Sequence, residues 1–254
     1  MSRHDLKGRH VVVTGASSGI GAALAVELGS RGARVGLIAR RVDKLDEVRA
    51  QVAATGAEVA VAAADVSVWE STQEAMAALT EALGPIYGVI ANAGIGNPTR
   101  PKRIDGVRDA EVFATNVIGV VHTFAAAEPA ISSAREGFLC AVSSIGGWRG
   151  LPGFASYSAS KAAVTTFMES LAIGLKRSPV TVTTVHPGFV RTPLTDSNRF
   201  KMPFLVEPER AARVIVDGIA RGRREVNFPW PMVFGMRLLR ALPGWAWHLL
   251  APSR

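Results

Sequence analysis

Residues 10–31 constrain the fold more than any other stretch of this 254-residue chain. His10-Val11-Val12-Val13 reads as a buried strand, and Thr14-Gly15-Ala16-Ser17-Ser18-Gly19-Ile20-Gly21 follows it. Apolar residues then recur at helical spacing (Ala22, Ala25, Val26, Leu28), and the run stops at Gly32. Glycine is required where a backbone turns sharply and comes close to a bound phosphate, because a Cβ obstructs both. The last glycine lets the helix pack tightly on the strand, and free N–H groups with the helix dipole face the anion. The spacing is G-x-x-x-G-x-G, and no Gly-Lys-Ser/Thr follows, which excludes a P-loop. At the first strand–helix junction of a βαβ unit, such a turn marks a dinucleotide site.

The alternation continues. Strands are expected at 34–39, 59–64, 86–92, 137–143 and 180–186, and helices at 45–54, 69–83, 109–132 and 156–177. Apolar residues make up 48% and aromatics only 7%, so Ala, Val, Leu and Ile must build the interior, as in a parallel sheet covered by helices. The expected fold is α/β, a Rossmann-like doubly wound parallel sheet in three αβα layers, plus an apolar C-terminal tail. No repeat or low-complexity linker divides it, so one domain over 1–254 is expected. Within it, 193–209 is read as a lid over the substrate and 223–254 as a basic, Trp-rich tail.

The net charge is +8, and residues 199–254 hold ten Lys/Arg against four Asp/Glu. The excess therefore sits beside Phe, Trp, Leu and Met in the last fifth of the chain. There is no zinc-ligand spacing, no RNA-binding aromatic motif and no continuous basic helix, which argues against nucleic acid and against a metal site. The lone cysteine, Cys140, lies in an apolar run and reads as a small core residue. The start of the chain is polar and shows no signal peptide, so a cytoplasmic location is expected.

The end of the second strand indicates which cofactor binds. An NAD site offers Asp or Glu there to the ribose hydroxyls, whereas this chain has Ala39 followed by Arg40 and Arg41. No carboxylate repels a 2′-phosphate and two guanidiniums are available to bind it, with Ser17 adding a hydroxyl. NADP(H) is therefore favoured over NAD(H). The plainer alternative is that both arginines are solvated charges in a turn.

Reducing a carbonyl needs a hydride from one side and a proton at the oxygen. A free phenol has a pKa of about 10. Tyr157 needs help to act as a base, and Lys161 stands one helical turn away, where its ammonium is expected to favour the phenolate. Ser144 and its rival Ser143 lie shortly before them. These segments, with Asp65-Val66, Asn92-Ala93-Gly94, Asn116 and Pro187-Gly188, resemble the short-chain dehydrogenase/reductase family in its branch of about 250-residue, NADP(H)-preferring enzymes, over residues 8–195. The resemblance implies an Asn–Ser–Tyr–Lys catalytic set of Asn116, Ser144, Tyr157 and Lys161. Ser144 would orient the carbonyl, Asn116 would hold a water linking Lys161 to solvent, and Lys161 would also contact the nicotinamide ribose. By residue type alone, Asn116 reads as a surface or capping residue.

The same resemblance places the dinucleotide against Gly15, Ser17, Ser18, Gly19, Ile20 and Gly21. It assigns Asp65 and Val66, and Asn92, Ala93 and Gly94, to the adenine side; Ala91 stands where the commoner form has a second Asn. Pro187 and Gly188 would turn the chain under the nicotinamide, with Val190 beside it and Thr192 on the carboxamide. His186 reads as structural. In the lid, Phe200, Met202, Phe204 and Leu205 suit an apolar cover, while Arg199 and Lys201 suit an anionic group. Trp230, Trp245 and Trp247 with neighbouring arginines fit either an interfacial helix pair touching a membrane, or packing on the domain or a subunit interface. The partners expected are a small carbonyl or alcohol and a second copy, in a homodimer or homotetramer. A catalytically quiet NADPH-binding protein acting through membrane or partner contacts is the alternative of a different class.

Overall fold

The computed structural model describes residues 3–99, 104–196 and 200–251. Strand β1 (His10–Thr14) is buried along its whole length, because it lies in the middle of the sheet with helices over both faces. It is joined by β2 (Arg34–Ala39), β3 (Val59–Ala63), β4 (Ile86–Ala91), β5 (Phe138–Val142), β6 (Thr181–Pro187) and β7 (Glu225–Phe228). Among the described residues these form one sheet in the order β3-β2-β1-β4-β5-β6-β7, parallel at every pairing. Strands buried on both faces have no polar side to display, which is why β1, β4 and β5 read as unbroken apolar runs.

Successive side chains of β1 feed two separate cores. Val11 and Val13 pack with Leu24 and Leu28 of α1 (Gly19–Ser30), Leu45 and Val52 of α2 (Val42–Ala53), and Ile215 and Ile219 of α8 (Pro208–Ala220). Val12 faces the other way, onto Met76 and Leu79 of α3 (Trp69–Leu83), Phe124 and Ile131 of α5 (Gly119–Ala134), and Val164 and Met168 of α6 (Ala155–Gly174). The strand order reverses between β1 and β4, so the loops at their C-terminal ends part and leave a crevice.

The chain departs from the sequence reading in two places, and in a third it bears out a helix pair that the reading allowed. First, the expected helix 109–132 is three pieces: α4 (Gly106–Phe113), a π turn (Ala114–Ile118) and α5. The run Gly106–Ala134 has the length and apolarity of a membrane span, but Val120, Phe124, Ala127 and Ile131 are used to cover the sheet. Second, α8 and β7 were not expected. Pro208 opens α8, so the last two residues of the expected lid, 208 and 209, belong to a helix, and β7 is a four-residue edge strand too short to show a period. Residues 197–199, including Arg199 of the expected lid, lie outside the described residues; Pro193–Asp196 form a short helix, α7. Third, the tail is built structure: after β7 come α9 (Trp230–Ala241) and α10 (Gly244–Leu250). Cys140 is fully buried, as expected of a core residue.

Strand β4 comes so close to β5 that a Cβ on Gly88 would lie 2.2 Å from the ring of Phe138, itself wholly buried. The ring has nowhere to go. Gly88→Ala should therefore lower stability by about 1–3 kcal/mol, seen as a lower urea midpoint with unchanged slope; an unchanged midpoint would contradict this packing.

Candidate active site

The glycine loop runs from Thr14 to the start of α1, and each of its glycines answers a close approach. Gly15 (φ +65°) would place a Cβ 2.7 Å from Ala93 Cα, and Gly19 (φ +56°) would place one 2.8 Å from the Thr192 methyl. A Cβ on Gly21 would sit 2.2 Å from the Gly15 carbonyl oxygen, so this glycine seats the helix on the loop beneath the crevice. The N-terminus of α1 has no side-chain cap and no acidic residue in its first turn. Uncapped N–H groups beside glycines that leave the backbone bare fit a pyrophosphate.

Asn92 fastens this loop. Its Nδ2 donates to the carbonyls of Thr14 (3.0 Å) and Gly15 (3.3 Å), while Thr14 Oγ1 accepts from the N–H groups of Asn92 (3.1 Å) and Ala93 (3.2 Å). At the end of β2 the two arginines are not equivalent. Arg41 donates to Ser17 Oγ (3.0 Å) and Ser18 Oγ (3.3 Å), resting on the loop, whereas Arg40 stands 3.5 Å from Asp65. Partial burial works to raise the Asp65 pKa, but the hydrogen bonds from Ser67 and the Arg40 charge outweigh it and hold the carboxyl below its ordinary value. Arg40 thus neutralises the nearest carboxylate, and Arg41 keeps its exposed edge toward the crevice.

At the far end, β5 runs out into Ser143 and Ser144, whose side chains do different work. Ser143 Oγ donates to the Lys161 carbonyl at 2.8 Å and meets Thr165, so it braces α6. Ser144 Oγ accepts from the Gly146 N–H at 3.0 Å, donates to the Pro187 carbonyl at 3.4 Å and shares the cleft wall with Tyr157. Lys161 lies one turn along α6 from Tyr157, with Nζ 6.0 Å from the ring centroid; it is 5% exposed and donates to the Val142 carbonyl at 2.8 Å. Burial pushes its pKa down to about 8. Tyr157 differs from expectation: burial raises its pKa, opposed by the Ser144 hydroxyl. The reason is geometric, since the ammonium is spent on Val142 rather than on the phenol oxygen.

Asn116 sits in the π turn, fully buried. Its Nδ2 donates to the Ile95 carbonyl (2.9 Å) and Ser160 Oγ (3.0 Å), and its Oδ1 accepts from the Ile95 N–H (2.8 Å). Every polar atom of this amide is thus occupied in pinning the segment after Gly94, and neither surface nor capping describes it. His186, also buried, contacts Asn227 at 2.8 Å and Thr165 at 3.2 Å, a structural position as read.

A cleft of about 320 Å³ joins the two ends. Its wall contains Gly15, Ser17, Ser18, Gly19 and Ile20 from the loop, Arg40 and Arg41, Asp65 and Val66, and Asn92, Ala93 and Gly94. Ser144, Tyr157, Lys161, Pro187, Gly188, Val190 and Thr192 complete the expected set. Gly21 lies below the wall and Asn116 behind it. Pro193, Leu194 and Thr195, from the start of the expected lid, also line the cleft, and the sequence reading missed Ala64, Ile95, Thr115 and Val142. Ala64 and Val142 were recoverable, because the C-terminal ends of strands line such a crevice; Ile95 and Thr115 depend on the π turn.

The short chain dehydrogenase family model matches residues 9–202. An uncharacterised oxidoreductase of Myxococcus xanthus is 42% identical over 239 residues, covering 94% of this chain and 94% of that protein. A short chain dehydrogenase/reductase from Burkholderia phymatum, solved in complex with NAD, superposes with a TM-score of 0.88 at 24% identity, over 99% of this chain and 98% of that one. An alcohol dehydrogenase from the archaeon Thermococcus sibiricus, complexed with 5-hydroxy-NADP, does so with a TM-score of 0.79 at 27% identity, over 87% and 95%. With its own family model matched from the first strand to the lid and a near-full-length relative this similar, the chain belongs to the short-chain dehydrogenase family of oxidoreductases.

Proposed function

We propose that the chain is a single-domain, NADP(H)-dependent oxidoreductase that interconverts a hydrophobic ketone or aldehyde and its alcohol, with Tyr157 as general acid and base. The observation that carries this reading is that Ser144, Tyr157 and a buried Lys161 line the same cleft as the uncapped glycine loop. A quiet cofactor-binding protein has no use for an acid set there at the cost of burying a lysine. The cofactor, when bound, supplies or accepts the hydride. Ser144 Oγ hydrogen-bonds the carbonyl oxygen, and Tyr157 gives that oxygen a proton as it gains negative charge. The phenolate so formed faces the Lys161 ammonium. An ammonium this close to the ring favours the phenolate and works against the burial that holds the phenol protonated. Asn116 acts through Ile95 to keep the wall opposite Lys161 in place.

For the cofactor, Ala39 leaves no carboxylate at the rim and Arg40 cancels Asp65, so Arg41 is the guanidinium left to meet a 2′-phosphate. The substrate end supports an apolar ligand. Leu194 and Ile95 line the cleft, and outside its lining the Phe200 ring packs edge-on against Phe154 at 6.0 Å and tilted against Phe189 at 5.8 Å. Exposed Ile118 and Ile173 on the α5–α6 side favour a homodimer or homotetramer.

Tyr157→Phe should lower kcat by about three orders of magnitude with NADPH binding nearly intact; a variant that keeps full turnover ends the mechanism. Arg41→Ala should raise the KM for NADPH about tenfold while leaving that for NADH unchanged, and equal losses with both cofactors would remove the 2′-phosphate from the account. Burial lowers the Lys161 pKa, so the ammonium is present below about 8 and lost above it. Carbonyl reduction should accordingly fall as pH rises through about 8. Lys161→Arg, which does not titrate, should show a lower but flat rate over that range; a falling limb that survives in it would belong to another group.

A further inference from the structure

We infer that the outer face of α9 and α10 seats the protein on an anionic membrane surface, beside the end of the cleft where the substrate reacts. This deepens the proposed function and rests on its hydrophobic substrate. Helix α9 is apolar on both sides. Its inner side carries buried Val233, and Met232, whose sulfur would lie 2.7 Å from a Cβ on Gly188. Its outer side carries Trp230, Phe234 and Leu238 at four-residue spacing, exposed by 78%, 61% and 56%. Helix α10 continues that surface with Trp245, Leu249 and Leu250, each more than two-thirds exposed. A helix that is apolar all round is normally buried all round, and this chain covers only half of it.

The charge around the patch selects the occupant. Residues 226–254 contain no Asp or Glu, while Arg237 and Arg240 flank the apolar row. Arg149 joins them, its Nη2 donating to the Pro243 carbonyl at 3.5 Å. A second copy pressed on this face would bring cations against cations with no carboxylate in the patch to pair them. An anionic lipid surface complements them, and tryptophan beside arginine suits the boundary between headgroups and acyl chains. Helices of twelve and seven residues are too short to span a bilayer, so they lie on it.

The patch also adjoins the site. Trp247 Nε1 donates to the Gly150 carbonyl at 3.1 Å, and Arg237 stands 5.9 Å over the Trp148 ring. Residues 148–150 belong to the connection from Ser144 to Tyr157, and Met232 of α9 packs against Gly188 of the cleft wall, so the face lies next to the end where a lipid-dissolved carbonyl would react.

The test is flotation of the full chain with vesicles of phosphatidylcholine alone, and with about one-third phosphatidylglycerol, at low and high salt. Binding is expected to the anionic vesicles at low salt, to weaken with salt, and to fall about tenfold or more in Trp245→Ser/Leu249→Ser. Turnover of a water-soluble carbonyl by that variant should match the parent, which shows that it is folded. Absence of flotation at low salt, or equal flotation of the variant, overturns the proposal. So does a dimer in size-exclusion light scattering that the double substitution dissolves, since a second copy then covers the face. Flotation by a protein inactive on every carbonyl would instead overturn the proposed reaction and leave the docking face standing.

Discussion

The clamp between Asn92 and Thr14 is the constraint on which the site depends. Four hydrogen bonds join the C-terminal ends of β1 and β4, the two strands between which the order of the sheet reverses. Without them the crevice would still open, but its floor would not be fixed. The clamp draws Gly15 so near Ala93 that only a residue lacking a Cβ fits, and Gly21 then seats α1 on the Gly15 carbonyl. From Ala93 the chain passes to Gly94, whose missing Cβ would lie 3.2 Å from Asn116 Oδ1 and 3.4 Å from Lys161 Nζ. One backbone path thus sets the loop that would take a pyrophosphate and the wall that faces the lysine.

Around Lys161 the structure accepts a cost in order to hold a charge away from water. Desolvation alone brings its pKa down to about 8, and the Val142 carbonyl at 2.8 Å gives the ammonium a partner. The neighbouring polar groups do not relieve that burial; they fix the helix that carries it. Ser143 and Thr165 both donate to the Lys161 carbonyl, and Thr165 also meets His186, which is anchored through Asn227 to the edge strand. Each of these contacts contributes about 1 kcal/mol net. Their shared effect is geometric, since they leave Tyr157 and Ser144 little freedom to part. Adjacent serines at a strand end point to opposite sides, so one serves the frame and the other the cleft.

Much of this was legible in the sequence, for identifiable reasons. Strands β1, β4 and β5 are buried on both faces and announce themselves as apolar runs, and the glycines of the loop sit where no other residue fits. The difference between Ser143 and Ser144 was open from the residues alone and is decided only by which side of β5 faces α6. Asn116 was legible by family resemblance but not by physics, because a π turn has no signature in residue type. The expected lowering of the Tyr157 pKa failed for a similar reason: spacing puts Lys161 on the same helix face, but not the direction in which its ammonium points. Strand β7 and helix α8 were overlooked for different causes. The strand is four residues at a sheet edge, while the stripe of Ala211, Ala212, Ile215, Val216 and Ile219 behind Pro208 was readable but lay between the expected lid and tail and was assigned to neither.

The two ends of the cleft are built from different parts of the chain, and this bears on how its chemistry and its choice of ligand are divided. The loop, Asn92 and the arginines come from β1, β2 and β4, whose packing in the middle of the sheet tolerates little change. The substrate end is closed by the segments C-terminal to β6. Gly188 donates to the Phe228 carbonyl at 2.7 Å, Pro187 pairs with Phe228 in register, and Met232 packs against Gly188. Those partners lie at the edge of the sheet and in α9, where side chains are replaced at lower cost than in the core. A change there would reshape the wall beside the reacting carbonyl without moving Tyr157, which is carried by α6 from the opposite side. On the proposed function, Tyr157 and Lys161 are therefore the fixed part of this site, and the C-terminal segment would set what is brought to them.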